Sequence, residues 1–124
     1  MQQALLRADV AFSSACGLSF VVLSPGLADW AELPTWVVLV VGVLVLAHAG
    51  ILLVGVRRPV MEESVTRYAV VANLGWVAGA IVVVALGWLP EAPAGLFVVL
   101  SGVVGLFGVL QAWTLRGKAV RPPT

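Results

Sequence analysis

Four strongly polar side chains, Asp9, His48, Asn73 and Gln111, stand inside long apolar stretches of this 124-residue chain. A carboxylate in such surroundings is a candidate proton-transfer group or a lock between helices, because its ionised form costs up to about 3 kcal/mol at a bilayer centre and less near an edge. The imidazole of His48 is a candidate proton relay or axial haem ligand. Asn73 and Gln111 carry donors and acceptors that lipid cannot satisfy, so hydrogen bonds across helices are their expected use and substrate recognition an alternative.

Each residue also has a plainer reading. Asp9 and Arg7 lie near the start of the first apolar stretch, where both can mark the membrane boundary and reach water. If Asp9 is instead locked to another helix, Arg67 or Gln111 is its expected partner, since Arg7 two residues away points to a different face. His48 has no second histidine to complete a haem site, and Met1 and Met61 lie outside the spans. A hydrogen bond from a buried His48 to a backbone carbonyl or to Asn73 is the simpler expectation, with haem shared across a symmetric dimer as the alternative. The chain has no glycine-rich phosphate loop, no serine or cysteine with a neighbouring base and no metal-ligand spacing, so neither an enzyme nor a metal site is expected. Glu62 and Glu63 read as a solvated loop face, and the lone Cys16 as a small packed side chain.

The elements that carry these residues follow from composition. Charged residues are 10% of the chain and apolar ones 61%, whereas a soluble domain carries about a quarter charged. A span takes about 20 apolar residues as a helix, so four spans nearly exhaust the chain and leave no soluble domain. They are expected at about 4–23, 35–56, 68–89 and 94–115, making residues 1–124 one all-α, polytopic four-helix bundle. Ser24-Pro25-Gly26 ends the first span, and Asp29, Trp30 and Glu32 suit a short interfacial helix. Asp9, and the lack of a small-residue cleavage site, argue against a removed signal peptide. Pro90 to Pro93 makes the last two spans antiparallel neighbours.

All seven basic residues fall at one end: Arg7, then Arg57, Arg58 and Arg67, then Arg116, Lys118 and Arg121. Basic residues are retained on the cytoplasmic side during insertion, so both termini are expected in the cytoplasm of a bacterial plasma membrane. The opposite connections hold Asp29, Glu32 and Glu91. Trp30, Trp36 and Trp88 then belong to the outer aromatic belt and Tyr68 and Trp113 to the inner one. A net charge of +1, with the basic residues at helix ends rather than in one patch, argues against a nucleic-acid footprint. At 1.5 Å per residue, Asn73 and Gln111 lie about 7 Å and His48 about 12 Å inside the basic face, which suggests a polar vestibule open to that side.

Small residues form two stripes at helical spacing, Ala72, Gly75 and Gly79 on the third span and Ser101, Gly105, Gly108 and Ala112 on the fourth. Such stripes let backbones approach where no hydrophobic effect joins helices, either inside the bundle or between copies. Asp9-x-x-Phe12 also matches Asn73-x-x-Trp76, and Arg57 matches Arg116, as two duplicated hairpins would produce.

The segment Leu6 to Ser13 with Gly17 and Pro25, followed by Asn73-Leu74-Gly75-Trp76, resembles a group of small four-helix bacterial membrane proteins of unassigned function. That resemblance implies the span layout and no activity. The functions that fit are a non-catalytic membrane module, homo-oligomeric or accessory to a larger membrane protein, an oligomeric carrier or channel, or a haem- or quinone-binding electron-transfer subunit. The lipid bilayer is the one partner all three share.

Overall fold

A computed structural model describes the backbone of residues 1–120 and the side-chain surroundings of residues 1–117, so the Lys118 side chain and Arg121 lie outside the described residues. The helices are α1 (Gln2–Val22), α2 (Ser24–Ala31), α3 (Thr35–Arg57), α4 (Glu62–Ala85) and α5 (Glu91–Val120), with a 3-10 turn at Pro59–Met61. All but α2 are long and apolar enough to cross a membrane, and no strand occurs among the described residues. The chain is an all-α, multi-pass membrane bundle.

Local chemistry sets the helix ends and corrects several expected boundaries. Helix α4 starts at Glu62 rather than Tyr68, with Glu62 and Glu63 in its first turn, where negative charge suits the helix dipole. These acids are helical, and Glu63 accepts a hydrogen bond from Arg67 at 3.1 Å, one turn on. The same helix stops at Ala85 because Gly87 takes φ +69, while Gly87 N bonds Val84 O and Trp88 N bonds Val83 O. That paired closure needs a left-handed residue just past the helix, which glycine adopts without a Cβ penalty. At the opposite connection, Pro25 sits in the first turn of α2, and Glu32 with φ 56 closes that helix in the same manner.

The spans pair as two hairpins, α1 along α3 and α4 along α5. Gly17 and Gly42 mark the first crossing: a Cβ on Gly17 would stand 2.7 Å from Leu46, and one on Gly42 3.2 Å from Gly17 O. In the second hairpin, Gly105 packs under Val77, and Gly108 under Leu74 and Asn73. The α5 stripe is therefore consumed inside the bundle. Gly75 and Gly79 on α4 behave differently, since nothing lies within 4 Å of where their Cβ atoms would be. These two glycines face outward, whereas Ala72, the third member of their stripe, is half-buried.

The two hairpins meet at the basic end, where Leu6, Leu52, Val65 and Ala69 form a cluster exposed by no more than 5%. Gly55 permits it, because a Cβ there would come within 2.8 Å of Val65 and 3.1 Å of Leu6. Lipid is as apolar as leucine, so this junction draws its stability from close packing rather than from leaving the bilayer. Towards the acidic end the hairpins diverge around open space.

Candidate functional site: a buried polar cluster beneath an interhelical cleft

Asp9 is the centre of the site. It is 2% exposed, and its carboxylate accepts hydrogen bonds from three helices. Ser13 Oγ, one turn along α1, donates to Oδ1 at 3.0 Å. Asn73 Nδ2 from α4 and Gln111 Nε2 from α5 donate to Oδ2 at 2.9 and 3.0 Å. Asn73 Nδ2 also donates to Gln111 Oε1 at 2.8 Å, closing a ring of three side chains. The sequence brings these groups together because Asp9, Asn73 and Gln111 each lie one to three turns inside the basic end of a span, on the face that the hairpin junction buries.

The boundary reading of Asp9 is thereby corrected. Arg7 is exposed, and Arg67 is engaged by Glu63, so neither guanidinium reaches the carboxylate. Of the two partners expected for a locked Asp9, Gln111 is the one found. His48 has a further partner: its Nδ1 is 2.9 Å from the Tyr68 hydroxyl, and its ring also interacts with the Asn73 side chain, as expected from the sequence. The other ring nitrogen, Nε2, has no hydrogen-bond partner and stands 3.9 Å from Asp9 Oδ1. Tyr68 does not snorkel to the inner belt but packs against the buried junction and tilts against the His48 ring. Ser13 and Tyr68 are the cluster members that side-chain type alone did not single out. Ser13 had one legible signal, its place one turn from Asp9.

The remaining stripe residues have packing roles. Ser101 is 5% exposed and accepts a hydrogen bond from Trp76 Nε1 at 3.1 Å, so it is a polar tie between α4 and α5 as well as a small contact. Ala112 is half-buried beside Gln111.

The cluster forms the floor of a cavity of about 320 Å³. Ser13, His48, Tyr68 and Asn73 line its base, and Phe12, Phe20, Trp76 and Phe97 stand in its walls. A second cavity of about 290 Å³ continues towards the acidic end between Val37, Val41, Val83 and Leu96, with Trp30 and Trp88 at its mouth. Phe20, Phe97 and Leu100 border both. Leu44 and Leu96 are lining residues that are also 62% and 42% exposed, so the cleft is open to its surroundings at the side. The vestibule expected on the basic side is on the opposite side of the cluster. Its basic side is filled by Leu6, Leu52, Val65 and Ala69, one turn below Asp9, His48 and Asn73.

Among the described residues no three histidine, cysteine or acidic side chains gather at metal-binding distance. No family model matches the chain, and no curated protein or solved structure is similar to it.

Proposed function

We propose that this chain is a non-catalytic integral membrane module of the bacterial plasma membrane, with both termini cytoplasmic, that works as a homo-oligomer or as an accessory subunit of a larger membrane complex. The observation that carries this reading is the Asp9 ring, in which Ser13, Asn73 and Gln111 direct their donors at one carboxylate and at each other. Groups bound in this way hold helices in register and have no nucleophile or base to offer. The outward Gly75 and Gly79 supply a face on which a second helix can approach closely. Gentle extraction into lipid nanodiscs tests the reading. The expected particle contains more than one copy or a second membrane protein, and Gly75→Leu with Gly79→Leu shifts it towards the single 12.9 kDa chain. A wild-type particle holding one chain and nothing else would overturn it.

A carrier is the second reading, supported by the cavity whose base is lined by Ser13 and Asn73, the residues that bond Asp9. It requires pH-dependent flux in proteoliposomes that Asp9→Asn abolishes, and unchanged flux in that variant would sink it.

A further inference from the structure

The ring of hydrogen bonds around Asp9 has a direction. A carboxylate only accepts, so each neighbour must turn a donor towards it. Ser13 has one hydroxyl hydrogen and gives it to Oδ1. Asn73 has two amide hydrogens, one given to Asp9 and the other to Gln111. Flipping either amide would bring an oxygen against a carboxylate oxygen, so the orientation is fixed by Asp9. What Ser13 and Asn73 have left to offer the cavity they line is acceptor capacity: the hydroxyl lone pairs and that part of the Oδ1 carbonyl which His48 does not engage.

Charge and shape point the same way. Among the described residues the sole basic group within 4 Å of Asp9 is His48, at 3.9 Å, so the floor of the cleft lies over a buried carboxylate paired with neutral amides and a hydroxyl. Aromatic side chains line the cavity, Tyr68 at its base and Phe12, Phe20, Trp76 and Phe97 in its walls, and aromatic rings attract cations. Above them the cleft is apolar and runs from Asn73 to Val83, about 15 Å along α4 at the helical rise. Leu44 and Leu96 leave it open at the side, where a bilayer-resident molecule can enter.

We propose that this cleft binds a single-chain membrane amphiphile with a protonated amine head, the ammonium seated on Ser13 and Asn73 above Asp9 and the chain lying between Val41 and Val83 towards Trp88. An ammonium supplies donors to the lone pairs of Ser13 and Asn73 and a fixed positive charge over Asp9, which His48 carries only when protonated. A fatty carboxylate supplies neither, and the field of Asp9 repels it. This site is independent of whether the chain oligomerises.

Radiolabelled dodecylammonium, titrated onto the full chain in phosphatidylcholine nanodiscs, tests the assignment. Saturable binding is expected, displaced by unlabelled dodecylammonium at least tenfold better than by dodecanol and not by dodecanoate. Asp9→Asn, which keeps the side-chain shape, removes the charge beneath the head group and lowers affinity about tenfold. Leu100→Trp fills the passage between the two cavities and abolishes binding while leaving the Asp9 ring untouched. Where Asp9→Asn does not fold, the head-group order and Leu100→Trp decide the matter. Equal displacement by all three amphiphiles, or full binding by Leu100→Trp, would overturn the proposal.

Discussion

Asn73 is the residue on which the polar cluster turns, because both of its amide hydrogens are in use, one on each of two other helices. Leucine there matches its bulk but strips Asp9 Oδ2 of one donor and Gln111 Oε1 of its partner. Interhelical hydrogen bonds in membranes average about 0.6 kcal/mol, whereas a buried donor or acceptor left unsatisfied costs about 1–3 kcal/mol, and a charged one more. Asn73→Leu is expected to fall in the upper range, at about 2–3 kcal/mol by unfolding in mixed micelles. Gln111→Leu removes the third side of the same ring, so the double variant should cost less than the two single losses added together. Additive losses would show that the three groups do not act as a unit. At this scale the sequence told which side chains need partners, since lipid satisfies none of them. It did not tell which partners they find: Arg67 and Gln111 were equally open to Asp9, and the difference lies in helix rotation, which places Arg67 outward beside Glu63. The bond between His48 and Tyr68 was hidden for a related reason, a tyrosine near a helix start reading as readily for the interface as for the interior.

Helices pack here through glycine rather than through large side chains. Gly42 and Gly50 share α3, but a Cβ at Gly42 would sit 2.9 Å from Val21 and 3.2 Å from Gly17 O, whereas Gly50 has nothing within 4 Å. Gly42→Leu should therefore separate α1 from α3, costing about 2–4 kcal/mol, in the range of a badly overpacked core. Gly50→Leu should be neutral or slightly stabilising, since leucine favours the helix by about 0.8 kcal/mol over glycine. Thermal unfolding of both variants in the same detergent compares them directly, and equal effects would contradict the crossing. Gly42 was not legible as a contact because Gly17 is the one glycine of α1 and the glycines of α3, at 42, 50 and 55, do not repeat at the three- and four-residue steps of the α4 and α5 stripes. The opposite fates of the two visible stripes were equally unreadable: Gly105 and Gly108 face Val77 and Leu74, and Gly75 and Gly79 face out, a matter of which side of α4 the polar Asn73 pulls inward. The positions of the four spans were legible because apolar length dictates them. Their ends were less so, since Glu62 and Glu63 look like loop residues until their place in a first helical turn is seen.

The whole molecule is polar in two opposed senses, basic and tightly packed at one end, acidic and cleft at the other. The packed end carries Arg7, Arg57, Arg58, Arg67 and Arg116, and the cleft opens towards Asp29, Glu32 and Glu91. Basic residues bias how such a bundle inserts, because moving the arginine pair of the α3–α4 connection across the bilayer is costlier than moving the acids of the α2 connection. Orientation in turn decides which compartment the cleft serves. In the proposed orientation, with the basic end in the cytoplasm, the cleft would be reached from the outer half of the bilayer and Leu6, Leu52, Val65 and Ala69 would close it from within. Single cysteines in a Cys16→Ala background make this measurable. Asp29→Cys and Val60→Cys both replace exposed residues, on opposite ends. A membrane-impermeant maleimide should label Asp29→Cys in intact cells, and label Val60→Cys only after the membrane is opened. The reverse pattern would turn the molecule over and point the cleft at the cytoplasm, and labelling of both sites in intact cells would show that the charge asymmetry does not fix a single orientation.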